Sequence, residues 1–124
     1  RGWLSDYREA KRLEKYSRVR YHEDGTVVVT DCWTEHRSIP NQYRPNAVVQ
    51  TQFPSQQIDR IFYDPQGKMV RQVHSGDHKS PKQHPYGLHG EHAHDFVRGE
   101  NGTIVDRTRR ELTEEERKEN RDIL

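Results

Sequence analysis

The sequence predicts an α+β domain: a small twisted antiparallel sheet of four to six strands, an N-terminal helix and a short C-terminal helix. Three observations carry that expectation. A basic stripe at helical spacing opens the chain, short β-branched runs punctuated by Pro, Gly and Asn fill its middle, and a capping box opens its last segment. At 124 residues the chain is one domain. Only 29% of it is apolar and 33% is charged, which leaves a thin core. The apolar residues are grouped in short runs, and this favours a folded domain with polar loops over disorder.

The elements follow in order. Leu4, Tyr7, Ala10 or Lys11, and Leu13-Glu14 recur at helical spacing, and Ser5 can cap the start, so residues 4–20 read as a helix. Arg8, Lys11, Arg12, Lys15 and Arg18 make much of its surface basic. Asp24-Gly25 signals a tight turn, and the run from Thr26 to Thr30 is β-branched, as a strand prefers. Residues 37–46, with Pro40, Asn41, Pro45 and Asn46, read as loop, and Ala47 to Thr51 as a second strand. The clearest signal is a hairpin. Ile58 to Tyr63 and Met69 to His74 flank Asp64-Pro65-Gln66-Gly67, whose Pro and Gly sit where a type I turn wants them. Residues 75–91 carry Gly76, Pro81, Pro85, Gly87 and Gly90 and read as a long loop, a kind that is usually functional or disordered. Ala93 to Val97 and Thr103 to Asp106 form a second hairpin around Asn101-Gly102. Thr113 with Glu116 three residues on is a capping box that opens a helix running to about Leu124.

Charge is uninformative until it is divided. The net value is +1, but residues 1–20 carry seven Lys/Arg against three acids, and residues 60–110 carry nine against six. Residues 111–124 carry three against six. Local positive charge favours an anionic partner such as RNA, DNA or a nucleotide. The single cysteine, Cys32, excludes an internal disulfide and reads as a buried small hydrophobe; as a nucleophile it would need His36 as partner. No apolar run approaches 18 residues, so no segment is expected to span a membrane. The chain begins Arg1-Gly2-Trp3 without Met and is expected to be a piece of a longer protein, with any delivery signal outside it.

The least ordinary feature is histidine. Six of the eight fall within 21 residues: His74, His78, His84, His89, His92 and His94. Histidine exchanges protons near neutral pH and is the commonest metal ligand. His92 and His94 open a predicted strand two residues apart and therefore project to one face, with Glu91, Ala93 and Asp95 opposite. His74 ends an earlier strand that could lie beside them. Two chemistries fit. In metal-independent RNA cleavage, the RNA's 2′-hydroxyl is the nucleophile, and His92 and His94 serve as acid and base with His74 as a third candidate. Lys82, Lys79 or Arg98 would hold the phosphate, Arg71 would help bind substrate, and Tyr86 or Tyr63 would orient or stack. In the other chemistry, His89, His92, His94 and Asp95, with His78 or His84 from the loop, ligate a divalent ion such as Zn²⁺ in a metal-assisted nuclease. The bland reading is a set of hydrogen-bonded loop histidines in a non-catalytic binding module, and for His78, His84 and His89 singly it is preferred. Trp3 and Trp33 read as packing residues, and Arg107-Thr108-Arg109-Arg110 as a solvated strand end.

From Gly76 to Asp95, and again from Arg110 to Asn120, the chain resembles the C-terminal domains of bacterial polymorphic toxins and phage-head-morphogenesis-type proteins. The likeness covers residues 58–124. It implies a single toxin-like domain over 1–124: a basic helix (1–20), a β-rich body (21–110) with a His-rich loop (74–95), and an acidic C-terminal helix (111–124). It further implies a ribonuclease of the barnase, EndoU, colicin or RelE type, with the active site on the face of a small sheet. The implied partners are RNA and a cognate immunity protein. Delivery as part of a larger bacterial protein into the cytoplasm of a target cell is implied as well. The acid–base reading needs no cofactor; the metal reading needs a divalent ion.

Overall fold

The computed structural model of the chain describes residues 3–23, 26–31, 39–52, 55–77, 79, 81–83 and 85–124. Cys32, Trp33, His36, His78, His84 and the Asp24-Gly25 turn lie outside the described residues. The chain runs α1 (Trp3–Tyr16), β1 (Arg18–Tyr21), β2 (Val27–Asp31), β3 (Val48–Gln52), β4 (Ile58–Tyr63), β5 (Met69–His74), β6 (His92–Arg98), β7 (Ile104–Arg110) and α2 (Glu114–Glu119). The strands lie side by side in chain order in one seven-stranded sheet.

The α+β class and both helices are as expected; seven strands exceed the expected four to six. The extra strand comes from the end of the first helix, which stops at Tyr16 instead of continuing to Arg20. Arg18 to Tyr21 pair with Val27 to Thr30, setting Val19 opposite Val29. A ladder to a neighbouring strand and burial of a β-branched residue outweigh a weak helical preference. The sheet also departs from full antiparallel order, because β2 and β3 pair in parallel. A parallel pair needs a crossover of a dozen or more residues, and the chain between Asp31 and Val48 is long enough for one.

Side chains alternate between the two faces, and each face has its own core. One face carries Val27, Val29, Val49, Ile61, Tyr63 and Met69 under Leu13 of α1. Polar links tie α1 and the crossover to that face. The Asn41 backbone N–H donates to Asp6 at 2.9 Å, the Tyr43 hydroxyl to Glu14 at 2.8 Å, and the Tyr63 hydroxyl to the Pro40 carbonyl at 2.6 Å. The β4–β5 turn is as expected. The Gly67 N–H donates to the Asp64 carbonyl at 2.9 Å, and Gly67 has φ +80°, where a Cβ would collide with the Tyr43 carbonyl.

The other face packs Val73, Ala93 and Leu112 with Phe62 and Ile123. Around that small core runs an arginine–carboxylate network. Arg110 reaches Glu116 at 2.7 Å and Asp95 at 2.6 Å, Arg71 reaches Glu116 at 3.0 Å, and Arg60 pairs with Asp122. The Thr113–Glu116 capping box is present. α2 ends at Glu119 with Asn120 as its C-cap, so the segment to Leu124 is turn rather than helix. The Asn120 backbone N–H and side-chain amide both donate to the Glu116 carbonyl, closing the helix after six residues.

Candidate functional site

Hydrogen-bond register sets out the site row by row. Thr51, Asp59, His74 and His92 pair in turn across β3, β4, β5 and β6. The next row is Val49, Ile61, Gln72, His94 and Arg109 on β7. Directly paired residues project to the same face, so both rows continue the face that packs α1. Along them the apolar core gives way to a buried polar cluster. His92 has no exposed surface, and His94, His74 and Asp59 are 2%, 4% and 6% exposed.

The three histidines make ring contact with one another. Centroids are 4.6 Å apart for His74–His94, 4.8 Å for His92–His94 and 5.0 Å for His74–His92. Their nearest ligand atoms all lie within 4.8 Å of each other. Around them the polar atoms are paired. His92 Nδ1 donates to the Gly90 carbonyl at 2.6 Å, and its Nε2 meets His94 Nε2 at 3.1 Å. His74 Nε2 meets Gln72 Oε1 at 2.8 Å and stands 3.7 Å from Asp59 Oδ2. The Gln57 amide donates to Asp59 Oδ1 at 2.9 Å.

Arg107, one turn of the pleat from Arg109, lies against His94. Its Nε is 3.2 Å from His94 Nδ1 and an outer nitrogen is 3.0 Å from His94 Nε2. Arginine only donates, so His94 serves it as acceptor, through Nε2 if its proton sits on Nδ1 toward the Thr108 carbonyl at 3.2 Å, or through Nδ1 otherwise. Either tautomer is neutral. Burial and the Arg107 charge together hold the His94 pKa down to about 3. Arg44, Arg60, Arg71, Arg110 and Arg117 each pair with a carboxylate; Arg107 has no such ion pair among the described residues. Arg107 as a whole is exposed, although burial of its guanidinium against the cluster lowers its pKa.

Asp59 is displaced the other way. Burial pushes its pKa up to about 7, against the opposing pull of the Gln57 amide and the Arg107 charge. These two shifts predict a pH signature. Folded Asp59 keeps a proton that the unfolded chain, with an ordinary value of 3.8, has lost; its stabilising effect is complete below about pH 4 and declines toward pH 7. Folded His94 lacks a proton that the unfolded chain, with a value of 6.5, takes up; its effect is complete above pH 6.5 and is lost toward pH 3. The slopes are opposite, about 1.4 kcal/mol per pH unit each, and cancel between about pH 4 and 6.5. Asp59→Asn removes one of them. Urea titrations of that variant are expected to show stability falling by a few kcal/mol more than wild type on acidification through this window; parallel profiles would refute the assignment.

The loop over the cluster is tied down from the opposite side by Glu91. Its buried carboxylate accepts from the backbone N–H groups of Leu88 at 3.0 Å and His89 at 2.8 Å, and pairs with Arg117 at 3.0 Å. Burial opposes its charge, but these donors outweigh burial and bring its pKa to about 2. Gly90, at φ +81°, packs so closely on Asp77 that a Cβ would collide with it. Arg109 donates to the Gln83 carbonyl at 2.8 Å, and the Tyr86 ring lies 5.9 Å from His92.

Of the residues singled out in the sequence, the structure brings together His74, His92 and His94, with Tyr86 beside them. Lys79 and Lys82 are exposed in the loop, and His89 is exposed as well. Asp95 pairs with Arg110 on the other face, so neither His89 nor Asp95 joins the triad as a ligand; His74 takes that place. Arg71 also serves the other face, spread over the Phe62 ring at 4.6 Å and paired with Glu116. Arg98 sits at the far end of β6, where it donates to the Gly102 and Met69 carbonyls at 2.8 and 2.7 Å. Asp59, Gln72 and Arg107 are additions. Asp59 had a legible signal: Asp59, Ile61 and Tyr63 alternate along one strand face, placing an acid in line with core residues. Arg107 had only a partial one: the Asn101-Gly102 hairpin sets β7 beside β6, but the strand was expected to stop at Asp106 and it runs on to Arg110.

No family model, curated protein or solved structure matches the chain. Fold and site therefore define it only as an α+β domain with a buried His/Asp cluster capped by an arginine.

Proposed function

We propose that the domain cleaves RNA without a metal, using the His74–His92–His94 cluster for proton transfer and Arg107 to hold the phosphate. The contact of Arg107 with His94 carries this reading. It sets a solvent-facing cation with no carboxylate ion pair among the described residues directly on a neutral histidine. A phosphodiester supplies the missing anion. As it draws Arg107 off the ring, one of the charges that add to burial in depressing His94 is neutralised, and His94 becomes a stronger base. His94 then takes the proton of the 2′-hydroxyl, the 2′-oxygen bonds to phosphorus, and the bond to the 5′-oxygen breaks. His92, fully buried while Arg107 covers the cluster, is uncovered by the same movement and gives that oxygen a proton, and His74 with Asp59 behind it resupplies His92. Arg107 stabilises the charge gathering on the phosphoryl oxygens. The resemblance to polymorphic toxins supports the wider proposal of a toxin module with an immunity protein as partner.

One observation favours a metal instead. With protons on both Nδ1 atoms, toward the Gly90 and Thr108 carbonyls, both Nε2 lone pairs point into the same 3.1 Å gap. Nitrogens about 2.0–2.1 Å from a tetrahedral zinc stand roughly 3.3 Å apart, and backbone acceptors behind Nδ1 are a common support for ligating histidines. His74 would complete a three-histidine set. The guanidinium on His94 Nε2 weighs against a dication in that gap, because arginine cannot shed its charge.

Cleavage of total cellular RNA by the purified domain, with and without EDTA, separates the readings. EDTA-resistant cleavage that a His92→Ala/His94→Ala variant loses by at least two orders of magnitude is expected. Cleavage abolished by EDTA moves the triad to the metal reading, and no cleavage in either condition removes the ribonuclease.

A further inference from the structure

A second polar site lies at the opposite end of β6 from His92, about 20 Å away at a strand's rise of about 3.4 Å per residue. Four parts of the chain wall a pocket of about 380 Å³ there. They are Asp6 of α1, the crossover at Asn41, Lys68 before β5, and the β6–β7 turn that follows Arg98. Trp3, expected to pack, is instead 76% exposed at the start of α1. Two cations converge on Gly102 in the turn. Arg98 donates to the Gly102 carbonyl at 2.8 Å, and Lys68 Nζ stands 3.6 Å from the position that a Cβ on Gly102 would take.

Neither cation has a carboxylate partner among the described residues. Arg60, Arg71 and Arg110, half-buried to a similar degree, each pair with one. Arg98 instead gives both outer nitrogens to the neutral carbonyls of Gly102 and Met69, and its buried Nε makes no hydrogen bond. Lys68 is half-buried as well, and among the described residues its Nζ makes neither hydrogen bond nor ion pair. The acid on the wall, Asp6, is 8% exposed and accepts from the Asn41 backbone N–H at 2.9 Å. The pocket is therefore net positive. Its neutral groups add to this polarity. Asn101 Oδ1 is taken by the Thr103 N–H at 3.2 Å and hydroxyl at 2.6 Å, which leaves the Asn101 amide nitrogen to donate. The Gly102 carbonyl is taken by Arg98. Acceptors are engaged and donors stay open, so the ligand that fits carries acceptors and negative charge.

We propose that this pocket binds a phosphate monoester, its phosphoryl oxygens held by Lys68 Nζ and the Asn101 amide beside the charge of Arg98. A phosphoryl dianion brings three terminal oxygens and close to two charges, which matches two cations and a neutral donor; a carboxylate brings half the charge. Walls from four segments admit a terminal group rather than the middle of a strand, and the volume lies in the range of small-molecule sites. The site stands apart from the histidines and does not rest on the function proposed above.

NMR titration of the isotope-labelled intact chain at constant ionic strength tests this. The Gly102 and Thr103 amides report on the pocket itself, separately from any phosphate held at Arg107. The probes are inorganic phosphate, adenosine 5′-monophosphate, acetate, and a 2′-O-methyl RNA dinucleotide without a terminal phosphate. Phosphate and the monophosphate are expected to shift both amides saturably, and acetate and the dinucleotide at least tenfold more weakly. Lys68→Gln is expected to weaken phosphate binding at least tenfold, the effect of one hydrogen bond to a charged group, without lowering the thermal midpoint, because Nζ has no partner to lose. Asn101→Asp keeps the acceptor for Thr103 and a favoured turn pair but replaces the donor with a negative charge, and should also weaken binding at least tenfold. No saturable shift at Gly102, or unchanged affinity in either variant, would overturn the proposal. Equal binding of acetate would make this a general anion pocket, and equal binding of the dinucleotide would make it a stretch of an RNA track; either result overturns the monoester. Absence of RNA cleavage would sink the ribonuclease and leave this result unchanged.

Discussion

Arg107→Gln is expected to reduce RNA cleavage by about 10²–10³-fold, the range seen when one donor to a developing oxyanion is removed. The fold should tolerate the change, since Arg107 is exposed along much of its length and holds no carboxylate ion pair among the described residues. The same substitution carries a second, independent readout. The Arg107 charge is one of the causes that hold the His94 pKa to about 3, so removing it should let that value rise, visibly in an NMR titration of the ring. Loss of cleavage with an unmoved His94 would mean that Arg107 acts on substrate alone. A raised His94 pKa with full cleavage would mean that the guanidinium is structural and that the phosphate is held elsewhere.

The largest stability effect is expected on the opposite face. Glu116 is 4% exposed, takes Arg110 and Arg71 through its two oxygens, and closes the capping box by accepting from the Thr113 backbone N–H at 2.9 Å. The Arg110 hydrogen bonds are the main reason its pKa falls to about 2. Glu116→Ala takes a buried carboxylate from two partly exposed arginines, of which Arg110 keeps Asp95, and should cost about 2–3 kcal/mol, within the range for losing hydrogen bonds to charged groups. Thr113→Ala removes only the cap and should cost about 1 kcal/mol. Chemical denaturation of the pair separates the contributions: near-equal losses would mean that the ion pairs add little beyond the cap. By acid the Glu116 contribution should persist down to its ordinary range near 4.5 and be lost as pH falls toward 2, because a carboxylate with a depressed folded pKa stabilises only while ionised.

Much of this architecture was legible in the residues themselves. The Asp64-Pro65-Gln66-Gly67 hairpin, the Asn101-Gly102 hairpin and the Thr113 capping box are local devices in which turn geometry or a single side-chain bond decides the outcome. The joint projection of His92 and His94 followed from strand alternation alone. β1 was misread as helix because Arg18 to Tyr21 become a strand only through a partner, β2, that lies further along the chain. The parallel β2–β3 pair was invisible for the same reason.

The candidate site divides along the same line. Sequence by itself determined the inventory, with a concentration of histidines on one strand and in one loop, a basic N-terminal helix, and a strand whose Asp59 falls among core positions. Only the tertiary structure decided which members meet. Pairing of β5 with β6 set His74 opposite His92, and extension of the β6–β7 ladder past Asp106 to Arg110 brought Arg107 onto His94, while strand alternation sent Arg71 and Asp95 to the far side. A periodicity of two specifies a face within one strand, but the neighbour across the ladder is set by long-range register, which depends on burying both cores at once.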